Sequence, residues 1–324
     1  MKDFIGNDRG IALVIVILLV AVIVAVTIQL NRATRTEVTD AANLRDGVTL
    51  LYIAKSGYNG GTAFLRQDTN EYDSLTEDWA RSSLLSASSS VLFDEGYFIL
   101  LIEDESRKIP INRLVSANEY NPLIEDLLMR FLMLPEFELT QQDAGDIMDA
   151  VKDWIDDDDE VTGFGAEDLY YRSLDDAYTC KNGPLDCVDE LLMVKGVSPE
   201  LLYGTTEKPG IAPYLTVHGN GKININTAEP RVLQVLSPDI TEEMASDMDA
   251  YRKDKENALS QTTWYKNVTG MDAIVIEGML ISTQSDVFRI ISTGYLGDMR
   301  KTVTGVVDRD RDKKTVKLLS WAVE

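Results

Sequence analysis

Histidine is nearly absent from this sequence, which has a single one, His218, among 324 residues. That excludes His-rich zinc sites and gives a His-centred catalytic triad little to stand on. Cysteine is scarce: two residues cannot build a zinc-finger or iron–sulfur framework. Bases are outnumbered, with 31 Lys and Arg against 54 Asp and Glu, and the formal net charge is −23. Nucleic-acid binding is therefore not expected, because neutralising phosphates needs a basic surface. The sequence also lacks G-x-S-x-G, Walker A and H-E-x-x-H patterns. Gly219-Asn-Gly-Lys222 misses the Walker spacing and reads as a turn before a strand. No catalytic constellation emerges, so the chain is not expected to be an enzyme, and His218 reads as structural. What is present is ordinary globular composition, 44% hydrophobic and 26% charged. The length allows roughly two folded units.

The N-terminal segment is unlike the rest. From Gly10 to Asn31 no residue is charged, and Ile11 to Ile28 is almost wholly apolar. About 20 such residues at about 1.5 Å each cross a hydrocarbon core of about 30 Å. Arg9 and Arg32 bracket the span. A secretory leader would end in small residues, but Gln29-Leu-Asn-Arg-Ala33 follows instead. A short polar leader ending in Gly10, followed directly by an apolar helix, resembles the class III signal of type IV pilins and pseudopilins. That resemblance implies cleavage by a prepilin peptidase between Gly10 and Ile11 and methylation of Ile11. A plain signal anchor is the competing reading. Most pilin-like subunits carry Glu five residues into the mature chain, where this sequence has Ile15. A missing carboxylate at that depth removes a partner for a neighbour's N-terminal amine. The leader has Lys2 and Arg9 but also Asp3 and Asp8, so orientation is only weakly signalled.

Beyond the span, Leu30, Ala33, Val38, Ala41, Leu44, Val48, Leu51 and Tyr52 keep helical spacing. One long helix is expected from Ile11 to about Lys55, broken at Gly57-Tyr-Asn-Gly-Gly61. A Ser-rich loop spans Ser82 to Ser90. Gly96 to Glu103 reads as a strand, with Arg107 to Asn112 as its hairpin partner. Three antiparallel strands are expected at the far end: Val287–Thr293, Lys301–Asp308 and Thr315–Val323. The middle is helical over Pro122–Leu134, Asp143–Ile155, Val188–Val194, Arg231–Leu236 and Thr241–Lys253. Thr140 with Asp143 forms a capping-box-like start. Strands at both ends and helices between them indicate one α+β domain with a helical insertion.

Three motifs stand out. Leu191 to Leu202 looks like a helix-hairpin-helix turn, with Gly196 for the turn, Ser198 as cap and Pro199 at the first helical position. Acidic surroundings favour helix packing over a grip on DNA. Cys180 and Cys187 flank a Gly183-Pro184 turn beyond the membrane span, where disulfides form, and a local disulfide is expected. The acidic run after Trp154 places Asp156, Asp158 and Glu160 at positions one, three and five of an EF-hand-like loop, with Glu167 at twelve. Val161 stands where that loop needs Gly. The alternatives are a Ca²⁺ site relieving carboxylate repulsion and a plain solvated acidic loop, with Asp175, Asp176 and Asp186 as weaker candidates.

Several segments in collinear order resemble general secretion pathway protein K, the large minor pseudopilin family of type II secretion. They are Arg9-Gly10 with Ile15, Asp73-Ser-Leu75 with Trp79, Asp153-Trp-Ile-Asp156, Gly165-Ala-Glu-Asp168 with Tyr170-Tyr171, Glu190 to Gly196, Pro213-Tyr-Leu-Thr-Val217 and, most distinctively, Ile223-Asn-Ile-Asn-Thr-Ala228. The resemblance implies a non-enzymatic protein: a 1–10 leader and an 11–31 transmembrane segment, then a pilin-like domain over 32–112 and 281–324. An all-helical, helix-hairpin-helix or SAM-like insertion would fill 113–280, as about 113–215 and 222–280. It implies calcium in the helical region. It also implies a single-pass bacterial inner-membrane protein with its soluble part in the periplasm. There it would form a tip complex with minor pseudopilins I and J, and H, and meet the prepilin peptidase and the inner-membrane secretion platform. An adhesive minor pilin of a type IV pilus and a signal-anchored periplasmic enzyme remain as rival readings.

Overall fold

A computed structural model describes residues 8–324. Lys2 and Asp3 of the expected leader lie outside the described residues. Helix α1 runs unbroken from Asp8 to Gln67. Every residue from 10 to 41 is exposed. The hydroxyl of Thr27, inside the apolar run, donates to the Ile23 carbonyl at 2.8 Å, so its polar hydrogen is satisfied without water.

The second half of α1 packs on a sheet through Leu50, Ile53, Ala54, Tyr58 and Leu65, all buried. The expected break at Gly57–Gly61 does not occur, for a packing reason. A Cβ on Gly57 would lie 2.2 Å from Ser292 Oγ and 2.7 Å from the Phe98 ring, and one on Gly61 would lie 3.0 Å from Ile290. These glycines let the helix approach the sheet.

The sheet has four antiparallel strands: β1 (Tyr97–Asp104), β2 (Val287–Leu296), β3 (Met299–Asp310) and β4 (Thr315–Val323). Their spatial order is β1-β2-β3-β4. Leu100 sits opposite Ser292, and Ile290 opposite Gly305. Alternation sends Phe98, Leu100 and Ile102 inward and leaves Tyr97, Ile99 and Leu101 exposed. Phe288, Ile290, Val303 and Val307 complete this core with Trp79, whose indole meets the Phe288 ring edge-on. The Ser-rich segment covers the outer edge of β1. The Ser89 hydroxyl bonds Phe98 N and O at 3.1 and 2.9 Å, and Ser86 Oγ accepts from Leu100 N at 2.9 Å. Serine hydroxyls thus occupy backbone groups that would otherwise template another strand.

The expected hairpin between β1 and residues 107–112 does not form. Asp104 Oδ1 accepts from Ser106 N at 2.8 Å and starts a 3₁₀ turn, Glu105–Arg107, that carries the chain out of the sheet. Ile109–Pro110 pairs in parallel with Leu215–Thr216 instead.

A second, larger core spans Ile109 to Ile281 and is built on Phe131, Trp154, Tyr171, Leu233 and Trp264. Its main helices are α2 (Pro122–Leu132), α3 (Gln141–Ile155) and α4 (Glu242–Lys253). Each has a side-chain N-cap, from Asn121, Thr140 and Thr241 respectively. Thr140 and Asp143 complete the reciprocal capping box. The segment read as helix over 188–194 is a 3₁₀ helix, Val188–Met193. It leads into the hairpin turn, where Gly196 takes φ +87° and Ser198 Oγ accepts from Leu201 N at 3.1 Å.

Candidate functional site

Two features stand apart from ordinary packing: the uncharged, exposed first half of α1 and an acidic cradle at the end of α3. The cradle begins with two acids one helical turn apart. Asp149 accepts from Phe164 N at 2.9 Å, and Asp153 accepts from Thr162 N at 3.0 Å. Together they fold residues 162–165 back against the helix. Cβ atoms on Gly163 and Gly165 would lie 2.2 and 2.1 Å from those carboxylates, so only glycine lets the turn approach so closely. Lys195, beside the hairpin glycine, donates to the Phe164 and Gly165 carbonyls at 2.7 and 3.0 Å. The hairpin's lysine is thus spent on pinning the acidic loop, which fits the packing reading of that motif. On the other side, Asn182 Nδ2 donates to Asp158 O at 2.7 Å and Asp159 Oδ1 at 3.0 Å.

The result places oxygens of Asp156, Asp158 and Glu167 within 4.8 Å of one another. Asp156 and Glu167 are buried, at 2% and 3% exposure. No N–H or O–H group donates to Asp156 Oδ1 or to either Glu167 oxygen; the Cys180 thiol is the weak donor beside Glu167. Asp156 Oδ2 accepts from Lys152 Nζ at 2.6 Å. Burial pushes the Glu167 carboxyl up to about 7; Cys180 opposes this, while the charges of Asp153, Asp156 and Asp159 add to it. Burial also raises Asp156, against the pull of Lys152. Buried carboxylate oxygens without donors cost several kcal/mol unless neutralised. An all-oxygen carboxylate set with open lone pairs suits a hard cation such as Ca²⁺.

Three of the four residues singled out by loop spacing meet in this cradle. The fourth, Glu160, does not join it. Its amide donates to Asp158 Oδ1 at 2.8 Å, in a tight turn that leaves its side chain exposed. Asp175 and Asp176 are exposed as well, and Asp186 pairs with Lys181 at 2.8 Å. Sequence spacing missed Asn182, whose amide ties down the Asp158–Asp159 turn; its φ of +46° leaves only a faint signal, an Asn before Gly.

The expected disulfide is absent. Cys180 and Cys187 are free thiols, one buried and one exposed. Cys180 turns into the core, where its Sγ lies 3.5 Å from Asp153 O and burial pushes it up to about 12. The turn between them is tied elsewhere: Leu185 N donates to Asn112 Oδ1 at 2.8 Å, and Lys181 bridges Asp186 and Glu190. A bond would need both side chains to face each other.

A second group of acids, Asp68, Asp73 and Glu77, has its cations built in. Arg309 reaches Asp68 at 2.7 Å and Asp73 at 2.8 Å, and Arg311 pairs with Asp73. Half-buried His218 has its pKa lowered by burial and joins no acidic cluster.

Known proteins share sequence and fold with this chain. A family model described as type II secretion system (T2SS), protein K matches residues 108–217, which hold the cradle and the hairpin. The type II secretion system protein K of Aeromonas hydrophila is 25% identical, over 96% of this chain and 96% of its own. In sequence the chain resembles the type II secretion system protein K family over most of its length. The Pseudomonas aeruginosa family member is 26% identical over 95% of this chain and 91% of its own. In fold, the chain is similar to a chain of the crystal structure of the GspK-GspI-GspJ complex from the enterotoxigenic Escherichia coli type 2 secretion system. The TM-score is 0.64 at 16% identity, covering 88% of this chain and 99% of that one.

Proposed function

We propose that this chain is the minor pseudopilin at the tip of a type II secretion pseudopilus, nucleating and capping a filament that drives folded proteins across the outer membrane. The observation that carries this reading is α1 itself, whose uncharged, exposed half runs without a break into a half that packs on the sheet. Such a helix is a single-pass inner-membrane anchor that becomes a filament core when extracted. A prepilin peptidase cuts between Gly10 and Ile11. Ile15 offers no carboxylate to a following subunit, and the helical body adds bulk where that subunit would sit. Partners are minor pseudopilins I and J, and H, with the inner-membrane platform; the soluble part lies in the periplasm. The role is mechanical rather than catalytic.

The cradle fits a resident calcium ion held by Asp156, Asp158 and Glu167. The ion would supply the positive charge those oxygens lack, and Asn182, Lys195 and the two glycines pre-shape the loop.

Complementation tests the reading. In cells lacking this chain, export stops; the full chain restores it and co-purifies with I and J. A Gly10→Val chain, which a prepilin peptidase cannot process, should fail. Export restored by that variant, or export unaffected by loss of the chain, would refute a pseudopilin role.

A further inference from the structure

The two apolar cores are separate: one uses residues from Ile53 to Val307 outside the insertion, and the other residues from Ile109 to Ile281. Between them lies a buried polar layer. Asp73, Ser74, Asp104, Glu105, Asn224, Thr227 and Ser285 are each at most 1% exposed. The chain crosses this layer twice, leaving β1 through residues 105–108 and returning through 282–286. Asp104, the last residue of β1, sits between the crossings. Its Oδ2 accepts from Asn224 Nδ2 at 3.2 Å, from the Thr227 hydroxyl at 2.5 Å and from the Ser285 hydroxyl at 2.5 Å.

The segment Ile223-Asn-Ile-Asn-Thr is the bridge. Ile223 and Ile225 are fully buried in the helical body. Asn226 also faces that body, accepting from Trp264 Nε1 at 2.7 Å and donating to Leu259 O at 3.1 Å. Asn224 faces the other way, toward the sheet domain, and its amide reaches Asp73 O at 3.2 Å as well as Ser285 Oγ at 2.8 Å. Asp73 in turn accepts from Ser285 N at 2.7 Å and from Arg309 of β3. The node therefore joins the linker after α1, the ends of β1 and β3, the return crossing and the helical body in one hydrogen-bonded unit. Apolar contact alone would let two bodies slide; directional bonds fix one register.

We infer that Asp104, Asn224, Thr227 and Ser285 form an interdomain latch, positioning residues that hold the helical body in one orientation on the sheet. The inference rests on the tip reading for its use: a body that blocks the next subunit works only if it cannot swing aside. Distinguishing the latch from ordinary core stability requires a local readout.

Hydrogen exchange on the full chain in detergent micelles supplies it. Asn224→Ala and Thr227→Val, the latter keeping volume but losing the hydroxyl, should speed exchange at residues 105–110 and 280–287 by about tenfold or more. Amides of α3 and β3 should keep their wild-type protection, and Thr227→Ser should restore the crossings. Unchanged crossings in both variants would overturn the latch. So would acceleration spread evenly through either core, which would make the node ordinary stability. Export assays separate the two claims. Loss of export with the wild-type complement of partners still bound supports a positioning role. Normal export from a variant with open crossings would end that role while leaving the tip assignment intact.

Discussion

Glu105 and Glu167 are both buried glutamates, at 1% and 3% exposure, yet the protein treats them in opposite ways. Glu105, at the domain junction, is pushed up by burial, but Lys108 and Arg289 at 2.8 and 2.6 Å outweigh this and bring it to about 2. Glu167, in the cradle, has no base beside it and only the weak Cys180 thiol as a side-chain donor, and burial carries it to about 7. Glu105 has two bases beside it, whereas in the cradle the buried Lys152 pairs with Asp156 and leaves Glu167 without one. Burial of acid alone therefore does not identify a cation site, and neither does one donor-free oxygen, which Glu105 also has at Oε2; the missing base does.

The largest effect expected is at the junction. Arg309→Ala leaves Asp73 buried with its main partner gone and should cost about 3–5 kcal/mol, read as a denaturant midpoint shift at unchanged slope. A cost below about 1 kcal/mol would mean that the network is solvated in practice. Next comes pH. The lowered Glu105 stabilises the fold above its unfolded value near 4.5, and that contribution disappears as pH falls toward 2. It amounts to about 3 kcal/mol, and a Glu105→Gln variant should lose that part of the acid dependence. An unaltered acid limb would remove Glu105 from the account.

The cradle should respond in the reverse sense. Calcium at about 100 times its dissociation constant should add about 2.7 kcal/mol, raising Tm by a few degrees. Glu167→Gln should abolish that shift and yet stabilise the chelated protein, because it removes an uncompensated buried charge. A variant equally destabilised with and without calcium would make Glu167 a packing residue. The smallest effect concerns the helix–sheet contact. Gly57→Ala gains helix propensity of about 1 kcal/mol but meets Ser292 and Phe98, for a net loss of about 1–3 kcal/mol in thermal melts. A stabilised Gly57→Ala would show that the approach is looser than 2.2 Å implies.

Much of this was legible from local patterns. The apolar run, the Thr140–Asp143 box and the three C-terminal strands all follow from composition or spacing within one element. What sequence spacing misjudged depended on distant neighbours. Gly57 and Gly61 look like a helix break until β1 and the far more distant β2 press against them. Ile109–Pro110 looks like a hairpin arm until Leu215–Thr216 takes it. Counting along the acidic run found Asp156, Asp158 and Glu167, because those positions do converge. It also chose Glu160, because counting does not register the turn at Asp158 that swings it out. The cysteines were judged by compartment and separation, whereas the inward turn of Cys180 depends on the tertiary contact with Asp153.

Mass spectrometry of the protein's N-terminus, purified from membranes of a host with an active prepilin peptidase, tests the central claim most directly. A chain beginning at methylated Ile11 is the result expected of a pseudopilin whose exposed helix enters a filament. A chain still beginning at Met1 would contradict it.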